Sequence, residues 1–165
     1  MIEEQTTVAT PLESLSGKDT IQLVTFEIDE EYFGIEVSCV QEVIKFDRLS
    51  PAPGALEIIE GVIDLRGDII PVIDLRKLLK MATGESNEGT KILIVEVSEY
   101  VFGFIVDKVD EVSTFAASEF APAPPGTNHS GSEYTVGVTH KDEKLLLYID
   151  IEQVFNIKKI FKEVM

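Results

Sequence analysis

From residue 20 onward the apolar residues fall in short runs rich in Val, Ile, Leu, Phe and Tyr, each broken by turn residues, which is the pattern of β-strands. Residues 21–28 and 32–37 form the first predicted pair, with Asp29, Glu30 and Glu31 as an acidic hairpin tip. Between Ser38 and Phe46 the period lengthens. Val40, Val43 and Ile44 recur at three- and four-residue spacing behind Ser38, which predicts a short helix or helical turn. Residues 50–54 contain Pro51 and Pro53 and read as loop, because proline cannot donate to a ladder and restricts its predecessor. Val62-Ile63-Asp64-Leu65-Arg66 then reappears as Val72-Ile73-Asp74-Leu75-Arg76. Gly67, between the copies, suits a turn with positive φ, so residues 61–65 and 69–75 are predicted as antiparallel strands, with Pro71 at an edge or a bulge. Residues 77–81 read as a short helix, and 83–90, with Gly84 and Gly89, as a connector.

A longer repeat underlies this pattern. Residues 33–43 match 102–112 at six positions, among them Phe33 with Phe102, Gly34 with Gly103, Val40 with Val109 and Val43 with Val112. Pro51-Ala52-Pro53 answers Pro122-Ala123-Pro124, Gly61 answers Gly137, and Ile73-Asp74-Leu75 answers Ile149-Asp150-Ile151, all in the same order. The pattern predicts an all-β domain over 20–157, made of two similar units near 20–82 and 90–157, each closed as a small barrel, with a ligand groove between them. The division leaves room for a terminal strand or helix to be exchanged between the units. Residues 1–19, rich in Thr, Ser and Glu with no apolar period, read as a flexible tail, and 158–165 as a C-terminal tail.

Composition narrows the function. With 30 acidic against 14 basic side chains the formal net charge is −16, and the cations are not gathered, which disfavours nucleic acid and direct binding to anionic membrane. The apolar runs are far shorter than the roughly 20 residues of a spanning helix. Glu3 and Glu4 stand where a signal peptide carries positive charge, and the lone Cys39 cannot form an internal disulfide, so a cytoplasmic protein is expected. Residues 84–91 imitate a phosphate loop, but Thr90 precedes Lys91, and the segment leads into an apparent strand instead of opening a helix. Asp64 and Asp74 invite an acid–base reading, yet alternation places Asp64 on a polar strand face. His129 and His140 lack metal-site spacing, Cys39 reads as a small hydrophobe, and no Gly-x-Ser-x-Gly elbow is present. Arg66-Gly67-Asp68 needs only a turn to explain it. No catalytic residue, metal or cofactor is expected.

The run from Gly61 to Arg76 resembles the CheW family of bacterial chemotaxis coupling proteins. The likeness extends through Tyr32-Phe33-Gly34-Ile35, Val40-Gln41-Glu42-Val43, Val101 to Asp107, Gly137 and Tyr148-Ile149-Asp150, with Asp64 standing where many members have Asn. The resemblance implies a tandem pair of five-stranded, SH3-like β-barrels with short helices. It also implies a noncatalytic adaptor that couples the cytoplasmic tip of chemoreceptors, the methyl-accepting chemotaxis proteins, to the regulatory domain of the histidine kinase CheA, recruited to membrane-associated arrays. Carried over, Val40, Glu42, Val43, Gly61, Arg66 and Gly67 lie at or near the receptor-binding groove, joined by Val106, Val109 and Phe115 of the second unit. Kinase contact falls to Phe46, Leu49, Ile69 and Pro71. Arg66, one of three arginines, is expected to bond a carboxylate such as Glu42. Alternatives are a scaffold or coupling protein of a nonmotility pathway, and a small-molecule sensor, which the aliphatic groove disfavours.

Overall fold

The computed structural model describes residues 17, 19–55, 57–79, 81, 89–122 and 134–155. In chain order the strands are β1 (Thr20–Ile28), β2 (Glu31–Glu36), β3 (Val40–Lys45), β4 (Ile59–Leu65), β5 (Asp68–Asp74), β6 (Lys91–Val97), β7 (Tyr100–Val106), β8 (Lys108–Ala116), β9 (Thr135–Lys141) and β10 (Lys144–Ile149). Two short helices, α1 (Leu75–Leu78) and α2 (Ile151–Phe155), follow β5 and β10. The expected N-terminal tail up to residue 16, the C-terminal tail, most of the connector, His129 and its loop lie outside the described residues.

Four hairpins carry the local order. Each has a two-residue tip in which both residues take positive φ: Asp29 and Glu30, Arg66 and Gly67, Ser98 and Glu99, Asp142 and Glu143. That geometry matches the right-handed twist of the flanking strands. Gly67, at φ 94°, meets the expectation drawn from the repeated Val-Ile-Asp-Leu-Arg run. Asp64 fastens the same turn, since its Oδ1 accepts a 2.8 Å hydrogen bond from the Gly67 amide.

The strands form two mixed sheets, ordered β8-β1-β2-β10-β9 and β3-β6-β7-β5-β4. The N-terminal hairpin of one repeat joins three later strands of the other, through a parallel pair in each sheet: β2 with β10, and β7 with β5. Exchanging the repeats maps one order onto the other, so the molecule has an internal pseudo-twofold relation. Each sheet curls round its own apolar cluster, one holding Leu23, Phe115, Phe120 and Tyr148, the other Val72, Ile92, Ile94 and Ile105. Between the sheets lies a third and larger core with Phe26, Phe33, Leu147, Leu93, Phe102 and Phe104.

Two expectations are corrected. Neither sheet is closed into a barrel, SH3-like or otherwise: each is an open row whose end strands share no ladder. The physical reason lies in the chain after β3, which enters the Pro51 and Pro53 loop and meets β4 through the single Ser50–Val62 bridge. There the Ser50 amide donates to the Val62 carbonyl at 2.9 Å and the Val62 amide to the Ser50 carbonyl at 2.8 Å. The counterpart in the other sheet is the equally short Ala121–Val138 bridge. The second correction concerns the helix expected across 38–46. Only Val37–Cys39 makes a one-turn 3-10 helix, and Val40–Lys45 is strand β3. A run this short fits both periods, and its β-branched residues settle on the pleated surface beside β6. Pro71 lies in β5, which is inner in the sheet, but the ladder to β7 begins only at Val72, so Pro71 occupies a local edge.

Candidate functional site

β3 and β8 are equivalent strands of the two repeats, and each is one of the two edge strands of its sheet. Val40 and Val109, at their starts, pack against the core between the sheets. Beyond a local irregularity in each ladder, Val43 pairs with Leu93 and Val112 pairs with Val24, both members of that core. Alternation therefore turns Val43 and Val112 to the same face as the inter-sheet core, yet the edge position leaves them 42% and 49% exposed. These exposed valines, at equivalent places on two edge strands, are apolar positions that no described residue buries. Val112 was missing from the residues expected at the groove. Its identity with Val43 across the repeat was the signal that could have found it.

Glu42 points to the other side of β3, where it meets Arg66. The guanidinium Nη2 and the Glu42 Oε1 form an ion pair across the mouth of the curled sheet, from one edge strand to the hairpin tip beyond the other. The hydrogen bond from Arg66 holds the Glu42 carboxyl below its ordinary range, and the same contact raises the guanidinium. Arg66 is 72% exposed, so solvent and salt screen the pair, and it serves as a rim contact more than as a staple. Gly61 lies buried beneath, where an added Cβ would stand 2.5 Å from the Ser50 carbonyl oxygen. Its role in the geometry is the close approach at the Ser50–Val62 bridge.

The remaining expected positions divide by burial. Val106 and Phe115 are buried, the first in the inter-sheet core and the second against Phe120, so their side chains are not presented at the surface. Phe46 and Leu49 are half-buried on the inner core of their sheet, and Pro71 is half-buried in β5. Ile69, at 64% exposure, is the one residue among Phe46, Leu49, Ile69 and Pro71 with an open apolar side chain.

Buried polar groups lie away from this face. Asp74 caps α1 by accepting a 2.9 Å hydrogen bond at Oδ1 from the Arg76 amide, and burial pushes its carboxyl up. The Arg76 side chain is only 6% exposed and pairs with Asp107, while its Nε stands 3.6 Å from Asp29 Oδ1. Asp107 Oδ2 also accepts a 2.7 Å bond from the Asp29 amide, so this cluster ties the first hairpin tip to the turn after β7. Tyr148 donates its hydroxyl to Glu36, and burial followed by that carboxylate keeps the phenol neutral well beyond the usual range. Burial raises the Cys39 thiol, with Glu36 adding to the shift, so the thiolate needed of a nucleophile is disfavoured. Among the described residues no group of three or more His, Cys, Asp or Glu side chains could hold a metal ion.

Known proteins place this architecture. The CheW-like domain family matches residues 22–159. The chemotaxis protein CheW of Treponema pallidum is 35% identical over 150 residues, covering 87% of both chains. CheW of Bacillus subtilis is 31% identical over 135 residues, 82% of this chain and 86% of its own. The crystal structure of a scaffolding protein, TtCheW from Thermoanaerobacter tengcongensis, superposes with a TM-score of 0.75 at 33% identity, covering 85% of this chain and 90% of that one. The repeated hairpins, the exchanged sheets and these relatives together make the chain a member of the CheW family, a noncatalytic chemotaxis adaptor.

Proposed function

We propose that this chain bridges the helical tip of a chemoreceptor and the regulatory domain of a CheA-type histidine kinase, in the cytoplasm and at membrane-associated receptor arrays. The observation that carries the reading is the pair of exposed valines, Val43 and Val112, set on equivalent edge strands over the inter-sheet core. An amphipathic helix binds such a surface by its apolar face, with rim charges setting its register. Val40 and Val109 lie beneath the contact, and the Arg66–Glu42 pair, on the opposite side of β3, fixes the edge strand that carries Val43. Ile69, exposed on the hairpin that carries Arg66, is the apolar anchor left for the kinase.

Titration of the folded chain against a receptor-tip hairpin and a CheA regulatory-domain fragment tests both contacts. Arg66→Asn keeps a residue that tolerates positive φ and is expected to weaken receptor binding about tenfold while leaving kinase binding intact. Ile69→Ser is expected to do the reverse. A folded wild type that binds neither fragment defeats the bridging role.

A further inference from the structure

The internal repeat supplies a control for residues on the equivalent strands, because the same ladder position occurs in both sheets. Along the valine face the two arms agree in their apolar residues and differ in charge. On the β3 arm, Lys45 pairs directly across the ladder with Lys91 of β6. Like charges facing each other on neighbouring strands destabilise a sheet. The equivalent pair on the β8 arm is Thr114 with Gln22 of β1, both neutral and both exposed. The contrast continues past the strand ends: Asp47 and Arg48 are answered by Ala116 and Ala117. At these four positions the β3 arm carries three cations and one carboxylate, and the β8 arm has Thr, Gln and two Ala in their place. Among the described residues, none of Lys45, Lys91 and Arg48 has a carboxylate in salt-bridge range. The fold does not need the lysine pair, since the other sheet forms with Thr and Gln in its place, and a chain of net charge −16 has acids in plenty to neutralise it.

We infer that the Lys45–Lys91 pair selects the pose of the bound receptor helix by taking its acidic side onto the β3 arm. This rests on the proposed docking of a receptor tip along the valine face. Two equivalent valines make that face nearly self-superposable under the pseudo-twofold, so apolar contact alone accepts a helix in two related poses. A cationic patch on one arm removes the degeneracy, because carboxylates meet ammonium groups in one pose and neutral side chains in the other. Rim charges of this kind act on discrimination and on encounter rate more than on bulk affinity.

The test uses the full chain and a receptor-tip hairpin bearing a nitroxide at its loop, with amide signals of β3 and β8 read by NMR. Wild type is expected to show broadening confined to one arm. Lys45→Thr with Lys91→Gln reproduces the other arm and relieves repulsion, so the variant folds. It is expected to broaden both arms, to bind about fivefold more weakly, and to lose part of its salt dependence. One-arm broadening and unchanged affinity in that variant overturn the selection while leaving the docking face intact. Absence of binding by wild type, or broadening away from both arms, overturns the docking and the selection together.

Discussion

Arg76 and Glu152 occupy matching places, each the second residue of the short helix that closes its repeat, and their surroundings have diverged as sets. Arg76 is buried with Asp107 and Asp29 around it. Glu152 is exposed, and the positions matching Asp107 and Asp29 hold Ser38 and Ser98. A second pair behaves the same way. Tyr148 and Glu36 share a hydrogen bond in one half, and at the equivalent positions Val72 and Ile105 share an apolar core. Buried polar groups in this protein change together with their partners, because a charge or hydroxyl left alone in the interior costs several kcal/mol to about one, respectively, while a complete exchange costs little.

The sharpest break in that contrast comes from Arg76→Met, which strands two carboxylates. Its expected cost is about 3 kcal/mol in urea unfolding, against less than about 0.5 kcal/mol for Glu152→Met on the open surface. Equal effects would mean that the Arg76 cluster is not a staple. The triple replacement Arg76→Glu, Asp29→Ser and Asp107→Ser, which copies the other half, is expected to recover most of the loss.

Packing offers the next distinction. A Cβ at Gly103 would stand 2.7 Å from Ile92 Cγ2 and 3.3 Å from Val72 Cγ2, both on stiff β-branched side chains, whereas at Gly34 the nearest atom is Leu23 Cδ1 at 2.9 Å, the end of a more flexible one. Gly103→Ala is expected to lower stability by about 2 kcal/mol and Gly34→Ala by about half of that, compared by midpoint at constant slope.

The smallest effect is that of Tyr148→Phe, about 1 kcal/mol near neutral pH. Its pH profile carries the diagnostic sign. Folding raises the phenol above its ordinary 10.0, so the stability it contributes is fully present below that pH and is lost as the unfolded chain ionises above it. Wild type should therefore lose stability between pH 9 and 11 more steeply than Tyr148→Phe, by up to about 1.4 kcal/mol per pH unit. Parallel slopes would remove the phenol from the account.

Local rules reached the hairpins because each is written in neighbouring residues: Gly67 between two copies of Val-Ile-Asp-Leu-Arg announces its own turn, and the acidic tip at Asp29 and Glu30 does so nearly as well. The repeat exposed the equivalence of Val40 with Val109, and Glu42 proved to be the partner of Arg66. What stayed hidden depends on pairing across the chain. Nothing local states that β2, already paired with β1, takes β10 of the other half on its free edge, or that the seams shorten to single bridges, and so closed barrels were expected where open sheets stand. Val106 and Phe115 came to the groove through the family resemblance, and their burial could not be read locally because a buried strand and an exposed one share the same apolar letters.

The exchange of strands between repeats also orders events in time. The ladders of the sheet β3-β6-β7-β5-β4 need nothing beyond Val106, so they can form once seven of the ten described strands have left the ribosome. The other sheet cannot: β1 and β2 are made first but must wait for β8, β9 and β10, and Glu36 meets Tyr148 across 112 residues of chain. Contacts so distant in sequence slow folding and leave the first hairpin an unsatisfied edge through most of synthesis. The earliest strands of this adaptor are thus the last to find their places.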